Sequence, residues 1–216
     1  DGYNVLFLTG TDEHGQKVEI AAGKNGLEPQ VFTDQVSQNF RDLLPALDIS
    51  NDDFIRTTEQ RHKLSAQKMW QKLFDNGHIY LDKYSGWYSV RDETYFTENE
   101  LIDGKAPTGA PVSWVEEESY FFNLSKWQDK LLNFYHDNPN FIAPKSRLNE
   151  VISFVKSGLR DLSISRTSFK WGIEVPGDTD HIMYVWLDAL TNYITATDFP
   201  DITSPKYQQY WPANLH

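Results

Sequence analysis

The chain contains no cysteine among its 216 residues. This absence excludes disulfide bonds, zinc sites built on thiolates and thiol nucleophiles. Basic residues are also scarce, because 20 Lys and Arg stand against 31 Asp and Glu, which gives a net charge of -11. Proteins that grip nucleic acid do so with clustered basic side chains, so this balance argues against a surface built mainly for nucleic acid.

Long apolar runs are missing as well. No stretch approaches the roughly 20 consecutive apolar residues of a membrane-spanning helix, and the first residues lack the basic and then apolar pattern of a secretory signal. These absences predict a soluble protein with no membrane partner, in the cytoplasm or in an organellar matrix. Asp1 stands shortly before an apolar run, and His216 follows a segment without a cap or tail, so both ends predict an interior piece of a longer protein.

One stretch near the N-terminus joins an apolar run to a polar cluster. Residues 5–8 are all apolar, which is typical of a strand covered on both faces in a parallel sheet. Thr9, Asp12 and His14 follow in a cluster that also contains Gly10 and Gly15, at the carboxyl end of that strand, where open α/β sheets bind ligands. An ordinary strand-to-helix loop, in which Asp12 or Thr11 caps the next helix, is the alternative interpretation.

Residues 1–77 alternate strand and helix signals. Helices are predicted over residues 16–24, from Pro29 onward, and from a Thr57–Gln60 capping box to residues 76–77, with a strand over 54–57. In the second helix, apolar residues at helical spacing predict a core-facing stripe: Val31, Phe32, Val36, Phe40, Leu43, Leu44 and Leu47. This alternation predicts a parallel α/β unit.

The alternation of strand and helix signals stops at residue 77, and residues 78–160 follow a different pattern. Short strands are predicted over residues 79–81 and 86–90, around a polar turn, and a loop rich in Pro and Gly follows. This material predicts a β-rich insertion. Residues 161–216 then return to the first domain.

Several motifs resemble one enzyme family. Residues 9–15, Thr-Gly-Thr-Asp-Glu-His-Gly, resemble the second-strand signature of the methionyl-tRNA synthetases, and residues 86–93 resemble the first hairpin of their connective peptide. Residues 161–166, 170–178 and 182–193 resemble the second half of the family's active site in the same order and spacing. The resemblance implies an α/β fold with a Rossmann-type parallel sheet, an incomplete class I synthetase catalytic domain, and an inserted β-rich connective domain.

The resemblance also implies site residues. Asp12 pairs with the amine of methionine, and Arg166 helps to hold the charge of Asp12, so these two are the predicted catalytic residues. Trp186 offers its ring to the thioether, because sulfur packs favourably on aromatic rings. Ala189 and Tyr193 follow on the same helix face and line the side-chain pocket.

Other positions carry weaker or negative implications. His14 is predicted to bind the nucleotide. Ser89 stands where many relatives carry a zinc-binding cysteine, so no structural zinc is expected, and Leu190 stands where some relatives carry proline. A core role for Trp186 and an interdomain salt bridge for Arg166 are the structural alternatives.

The resemblance implies a ligase reaction that uses L-methionine, ATP with Mg²⁺, and tRNA(Met). Methionine attacks the α-phosphate of ATP, and the resulting methionyl-adenylate then acylates the tRNA. The family's two ATP signatures, His-Ile-Gly-His and Lys-Met-Ser-Lys-Ser, do not occur in these 216 residues, so the chain alone is predicted to be inactive and the tRNA to be gripped mainly elsewhere. A class I synthetase for a branched aliphatic amino acid and a non-catalytic binding module derived from a synthetase are the alternatives.

Overall fold

The computed structural model describes residue 2 and residues 4–92 and 94–213, so Glu93, at the end of the predicted hairpin motif, and both chain ends lie outside the described residues. The helices are α1 (Gln16–Lys24), α2 (Pro29–Ala46), α3 (Gln60–Asp75), α4 (Gln128–Asp137), α5 (Lys145–Lys156), α6 (Val185–Asp188), α7 (Asn192–Thr195) and α8 (Pro205–Tyr210). The strands are β1 (Leu8–Thr11), β2 (Asp53–Arg56), β3 (Ile79–Ser89), β4 (Thr94–Phe96), β5 (Ser113–Phe122), β6 (Leu162–Ser163), β7 (Ser165–Arg166), β8 (Glu174–Val175) and β9 (Asp178–Met183).

The first part of the chain forms the predicted parallel unit. Strands β1 and β2 pair in parallel, with Gly10 opposite Ile55, and helices α1 and α2 form the connection between them. The strand begins later than the apolar run predicted, because Val5 and Phe7 are exposed and the pairing with β2 starts at Leu8. The polar cluster therefore lies directly at the carboxyl end of β1.

The predicted core stripe of α2 is wrong. Helix α2 buries Thr33 and Ser37, and Ser37 Oγ lies 3.3 Å from Thr11 Oγ1 at the end of β1. Small polar side chains allow this close approach of the helix to the strand, and the apolar face is turned outward. Its exposed members are Val31, Val36, Phe40, Leu43 and Leu47.

The β-rich part is a four-stranded antiparallel sheet in the order β4-β3-β5-β6. The two short strands predicted over 79–90 are one strand, β3, which pairs with β5 from Ile79 to Tyr88. The polar residues predicted as a turn are tolerated because β5 places a complementary face opposite them, with Lys83 across from Glu118. Strand β6 joins this sheet, so the returning chain is hydrogen-bonded directly to the insertion.

A third small sheet, β7-β9-β8, carries the second group of motifs. Trp70 of α3, Ile79 of β3 and Met183 of β9 belong to one buried cluster, which packs the three parts of the chain together. No helix in the described ranges reaches the length and apolarity that crossing a bilayer requires.

Candidate active site

A buried glutamate fixes the loop after β1. The carboxylate of Glu13 accepts hydrogen bonds from Thr11 Oγ1 at 2.6 Å and from Thr58 Oγ1 at 2.5 Å. Asp12 and His14 flank this buried residue in the sequence. Their backbone positions are therefore set by a side chain that turns into the protein between them.

Two residues far along the chain secure the same loop. Arg56, at the end of β2, donates two hydrogen bonds to the Glu13 carboxylate. Trp171 donates its ring N–H to the Glu13 carbonyl oxygen at 2.6 Å and accepts a hydrogen bond from the backbone N–H of Gly15. Sequence reasoning missed the roles of Glu13, Arg56 and Trp171. Two features of the sequence could have indicated the ion pair: Glu13 is a charged residue inside the polar motif, and Arg56 is a basic residue at the end of the neighbouring strand.

His14 is tied to the motif that contains Trp186. Its Nδ1 lies 2.6 Å from Asp188 Oδ2, and His62 Nε2 lies 2.8 Å from Asp188 Oδ1. Burial pushes the pKa of Asp188 upward, but the hydrogen bonds with the two histidines outweigh this effect and hold the pKa below its ordinary value. Asp188 is thus an ionised carboxylate that connects β1, α3 and α6.

A hollow of about 40 Å³ lies where these segments meet. Asp12, His14, Tyr184 and Asp188 line it, and Tyr88 reaches it from β3 of the inserted sheet. The two segments that the sequence assigned to one site, residues 9–15 and 182–193, therefore contribute to one small cavity. Asp12 is solvent-exposed at its edge.

Trp186 lies at a second depression. The chain is helical from Val185 to Thr195, with a 3₁₀ turn over Ala189–Thr191, so Trp186, Ala189 and Tyr193 lie at helical spacing. Trp186 and Tyr193 are 52% and 50% exposed. Trp186 lines an apolar groove of about 360 Å³ together with Leu162 of β6 and other leucine, isoleucine and aromatic side chains. Asp12 and Trp186 thus line neighbouring depressions, which share the helix that begins at Val185.

Arg166 is buried behind the hollow. Its Nη1 donates to Ser163 Oγ at 2.6 Å and to the Ser165 carbonyl oxygen at 2.7 Å. The guanidinium lies 3.7 Å from the centre of the Tyr184 ring, a cation–π contact, and Nε lies 3.7 Å from Glu117 Oε1. The ion pair of Arg166 is therefore made with β5 of the inserted sheet, and Arg166 meets the hollow through the ring of Tyr184.

The Arg166 contacts extend into the insertion. Tyr95 of β4 donates a hydrogen bond to Glu117 Oε1 at 2.7 Å, and its ring centre lies 5.1 Å from the Arg166 guanidinium. Burial raises the pKa of the Tyr95 hydroxyl, the Arg166 charge opposes this effect, and the bond to Glu117 adds to it. The insertion thereby contributes aromatic and acidic groups to the wall behind the site.

The hollow and the groove together offer a hydrogen-bond acceptor and an apolar surface. Asp12 supplies a carboxylate at the hollow, and the groove beside Trp186 supplies a wide apolar surface. A ligand with a cationic head and an apolar tail matches this pair of surfaces. Within the described residues, no group of three or more His, Asp or Glu side chains is placed to hold a metal ion.

Comparisons with known proteins agree with this geometry. The family model described as tRNA synthetases class I (M) matches residues 1–112 and 99–216. The methionine–tRNA ligase of Rickettsia typhi is 66% identical over 99% of this chain and 42% of its own length, and that of Rhizobium meliloti is 58% identical over 100% of this chain and 43% of its own length.

Solved structures give the same result. The crystal structure of Mycobacterium tuberculosis methionyl-tRNA synthetase bound by methionyl-adenylate matches with a TM-score of 0.92 and 55% identity, over 98% of this chain and 43% of that one. The chain spans about 42% of the length of the curated relatives that it matches. Both the predicted family and the predicted fold class, a mixed α/β catalytic-domain fold with parallel and antiparallel sheets, are confirmed, and the chain belongs to the class I methionyl-tRNA synthetase family.

Proposed function

We propose that this chain forms the methionine-binding part of an enzyme that activates L-methionine with ATP and ligates it to tRNA(Met). The observation that supports this most directly is that the Asp12 loop and residues 183–185 and 188 line one hollow, while Trp186 and Leu187 of the same segment line an apolar groove. A relative that is 55% identical over 98% of this chain was solved with methionyl-adenylate bound.

In this proposal, Asp12 pairs with the ammonium group of methionine. A carboxylate and an ammonium form a charge-assisted hydrogen bond, which fixes the orientation of the amino acid. The thioether lies on the apolar side, where Trp186 supplies a ring and Ala189 and Tyr193 follow on the same face. Arg166 acts through Tyr184 and Glu117, so it holds the wall of the site rather than the substrate.

The reaction itself forms and breaks one bond at phosphorus. A carboxylate oxygen of methionine attacks the α-phosphorus of ATP and pyrophosphate leaves, and a ribose hydroxyl of the tRNA then displaces AMP from the acyl group. This chain contributes by holding the amino acid so that its carboxylate faces the nucleotide, which is an orientation effect. Mg²⁺, when bound with ATP, supplies positive charge to the phosphates. We place the tRNA grip outside this acidic chain, and the protein in the cytoplasm or an organellar matrix.

The proposal also assigns the parts of the chain to two domains. Residues 1–77 and 161–216 belong to the catalytic domain, and residues 78–160 form the connective insertion. The isolated chain is expected not to charge tRNA, because the family's ATP signatures do not occur in it.

A chimeric enzyme tests the proposal. We would exchange this chain for the aligned region of a full-length relative and measure ATP–pyrophosphate exchange with methionine, isoleucine, leucine and valine. We expect exchange with methionine only, and a loss of roughly a hundredfold or more in kcat/KM in Asp12→Asn, since a charge-assisted bond is removed. Asp129→Asn on the exposed start of α4 is the matched control.

The two alternatives give different results in the same assay. Preference for isoleucine, leucine or valine would identify a synthetase for a branched aliphatic amino acid. Absence of exchange with all four amino acids, in a chimera that is folded by circular dichroism, would identify a non-catalytic module.

A further inference from the structure

The helical hairpin of α4 and α5, together with the turn before it, carries the opposite charge from the chain as a whole. Residues 124–160 contain six Lys and Arg and three Asp and Glu, although the whole chain has 20 and 31. The hairpin therefore has an excess of positive charge on a protein whose net charge is -11. All six of its basic residues are exposed: Lys126, Lys130, Lys145, Arg147, Lys156 and Arg160.

Most of these charges are not neutralised by a neighbouring carboxylate. Among the residues that the structure describes, Arg147 is the only one of the six that forms an ion pair within 4 Å, with Glu150 at 2.6 Å. The segment that leads into α3 is also rich in basic residues, but Arg56 and Arg61 there are bound to carboxylates. The positive charge of the hairpin thus faces solvent, where an anionic partner can reach it.

The beginning of the hairpin borders the candidate site. Trp127 and Leu131 line the apolar groove together with Trp186. Lys130 lies between Trp127 and Leu131 in the sequence, and its Nζ is 4.8 Å from the centre of the Trp127 ring, a cation–π contact. Lys126 is exposed on the adjoining 3₁₀ turn. The rim of the groove therefore carries two lysines.

The second step of the proposed reaction brings an anionic partner to this rim. The adenylate holds its methionyl group beside the groove, so the last nucleotides of the tRNA have to reach the groove as well. An acidic protein repels phosphates over most of its surface, and a local cluster of positive charge then directs the approach of RNA. The hairpin supplies such a cluster next to the site.

Exposed aromatic side chains accompany the basic residues. Phe141 and Phe154 are 64% and 68% exposed, and Phe134 packs against Phe141 with ring centres 4.7 Å apart. Surfaces that bind single-stranded nucleic acid combine positive charge with rings on which bases stack. This combination favours RNA over an acidic protein segment, for which positive charge alone would suffice.

We propose that the α4–α5 hairpin is a contact surface for the acceptor end of tRNA, with Lys126 and Lys130 binding phosphates where the RNA enters the site. This inference rests on the proposed function, because it locates the tRNA substrate of the same reaction. It concerns a local contact, and the main grip on the tRNA stays outside this chain. A lysine ammonium is a point charge on a flexible stem, which suits contacts to the phosphate backbone that carry no sequence information.

The salt dependence of tRNA binding to the full-length chimera tests the contact. The slope of log Kd against log salt concentration is roughly 0.7 for each phosphate contacted on a single strand. We expect the double variant Lys126→Gln/Lys130→Gln to lower this slope by roughly 1.4 and to raise the Kd for tRNA about tenfold at low salt.

Two further double variants serve as controls. Lys24→Gln/Lys105→Gln removes the same charge from exposed positions outside the hairpin, so it should keep the Kd and the slope of the parent. Lys126→Arg/Lys130→Arg keeps the charge at the rim, so it should also bind tRNA like the parent. A weak Kd and a reduced slope in this arginine variant, when it is folded by circular dichroism, would overturn a role based on charge.

The outcomes separate this inference from the proposed function. If the parent chimera shows no pyrophosphate exchange with methionine, the proposed function fails. If the parent activates methionine and the Lys126→Gln/Lys130→Gln variant has the same Kd and slope for tRNA as the control, only the contact surface is wrong. Weaker binding of poly-L-glutamate by that variant, with unchanged binding of tRNA, would assign the hairpin to an acidic protein partner and would also overturn the inference.

Discussion

Arg56 grips the carboxylate of Glu13 with two hydrogen bonds, Nε to Oε1 at 2.7 Å and Nη2 to Oε2 at 2.9 Å. The pair joins the ends of β1 and β2, the only two strands of the parallel sheet in the described chain. Hydrogen bonding to Glu13 raises the pKa of Arg56, and a second bond, to Asp34 of α2, acts in the same direction. The loop that carries Asp12 and His14 is thereby anchored to both the sheet and the helix that covers it.

Glu13→Gln is expected to destabilise the chain by roughly 3 kcal/mol, because it leaves the largely buried Arg56 guanidinium without its main counter-charge. Chemical denaturation monitored by tryptophan fluorescence measures this change. Glu150→Gln removes an exposed partner of Arg147 and is expected to change the free energy of unfolding by less than about 0.5 kcal/mol. Equal effects of the two substitutions would contradict the anchoring role of Glu13.

Gly10 is predicted to tolerate no side chain. A Cβ atom at Gly10 would lie 1.9 Å from the carbonyl oxygen of Ile55 on the paired strand, so the two strands would have to separate. We expect Gly10→Ala to cost roughly 3 kcal/mol, the upper part of the range for overpacking.

Gly23→Ala is the matched control, because a Cβ atom there meets nothing within 4 Å in helix α1. It should stabilise the chain by roughly 0.5 kcal/mol through the reduced entropy of the unfolded state. A small effect of Gly10→Ala in the same denaturation experiment would show that β1 and β2 can shift apart.

These local contacts mark the limit of what sequence patterns predict. The strand, helix, strand, helix order was readable because apolar periodicity and caps are local signals, and helix α1 ends at the predicted residue. The outward face of α2 was not readable, since periodicity identifies an apolar stripe but not which side of the helix meets the sheet. Thr33 and Ser37, which do meet it, look like ordinary surface residues in the sequence.

In the candidate site, too, some features were predictable from the sequence and others were not. Residues 9–15 and 182–193 were predicted to form one site. Asp12 lines the hollow together with Tyr184 and Asp188, whereas Trp186 lines the separate apolar groove. Arg166 was predicted to hold the charge of Asp12, but its ion pair is made with Glu117. A sequence does not show which of its many acidic residues lies close to a given arginine. The link from Asp188 to His14 and His62 likewise joins residues that are far apart in the chain and belong to no shared motif.

The lowered pKa of Asp188 predicts a stability that depends on acid pH. The contribution of Asp188 is fully present above the ordinary aspartate pKa of about 3.9 and is lost as the pH falls through the lower value of the folded state. Urea denaturation between about pH 5 and pH 2 should therefore show a smaller acid loss of unfolding free energy in Asp188→Asn than in the parent. Asp137→Asn, at an exposed position, should leave the slope unchanged. Identical slopes in all three proteins would contradict a depressed pKa of Asp188.

Arg166→Lys is expected to show that the guanidinium, and not only its charge, supports the site. A lysine ammonium cannot lie flat on the Tyr184 ring. The shorter lysine side chain also ends before the position of Nη1, the nitrogen that donates to both Ser163 Oγ and the Ser165 carbonyl oxygen. We expect a loss of roughly 2 kcal/mol in unfolding free energy, the size of a desolvated cation–π contact. Arg147→Lys on exposed α5 should be near neutral, and a near-neutral Arg166→Lys would show that charge alone suffices.

The turn after β3 is expected to hold its shape without a metal ion. Buried Ser89 donates its hydroxyl proton to Asp92 Oδ2 at 3.0 Å, Thr108 Oγ1 donates to the same oxygen, and Arg91 Nη2 donates to the Thr108 carbonyl oxygen at 2.8 Å. These hydrogen bonds cross-link two loops at the place where the family resemblance puts a zinc-binding cysteine. We therefore predict that exhaustive dialysis against a chelator leaves the Tm unchanged, whereas Asp92→Ala, which removes the shared acceptor, lowers it. Metal analysis of the untreated protein completes the test, because stoichiometric zinc together with a drop in Tm on chelation would show that the turn depends on a metal after all.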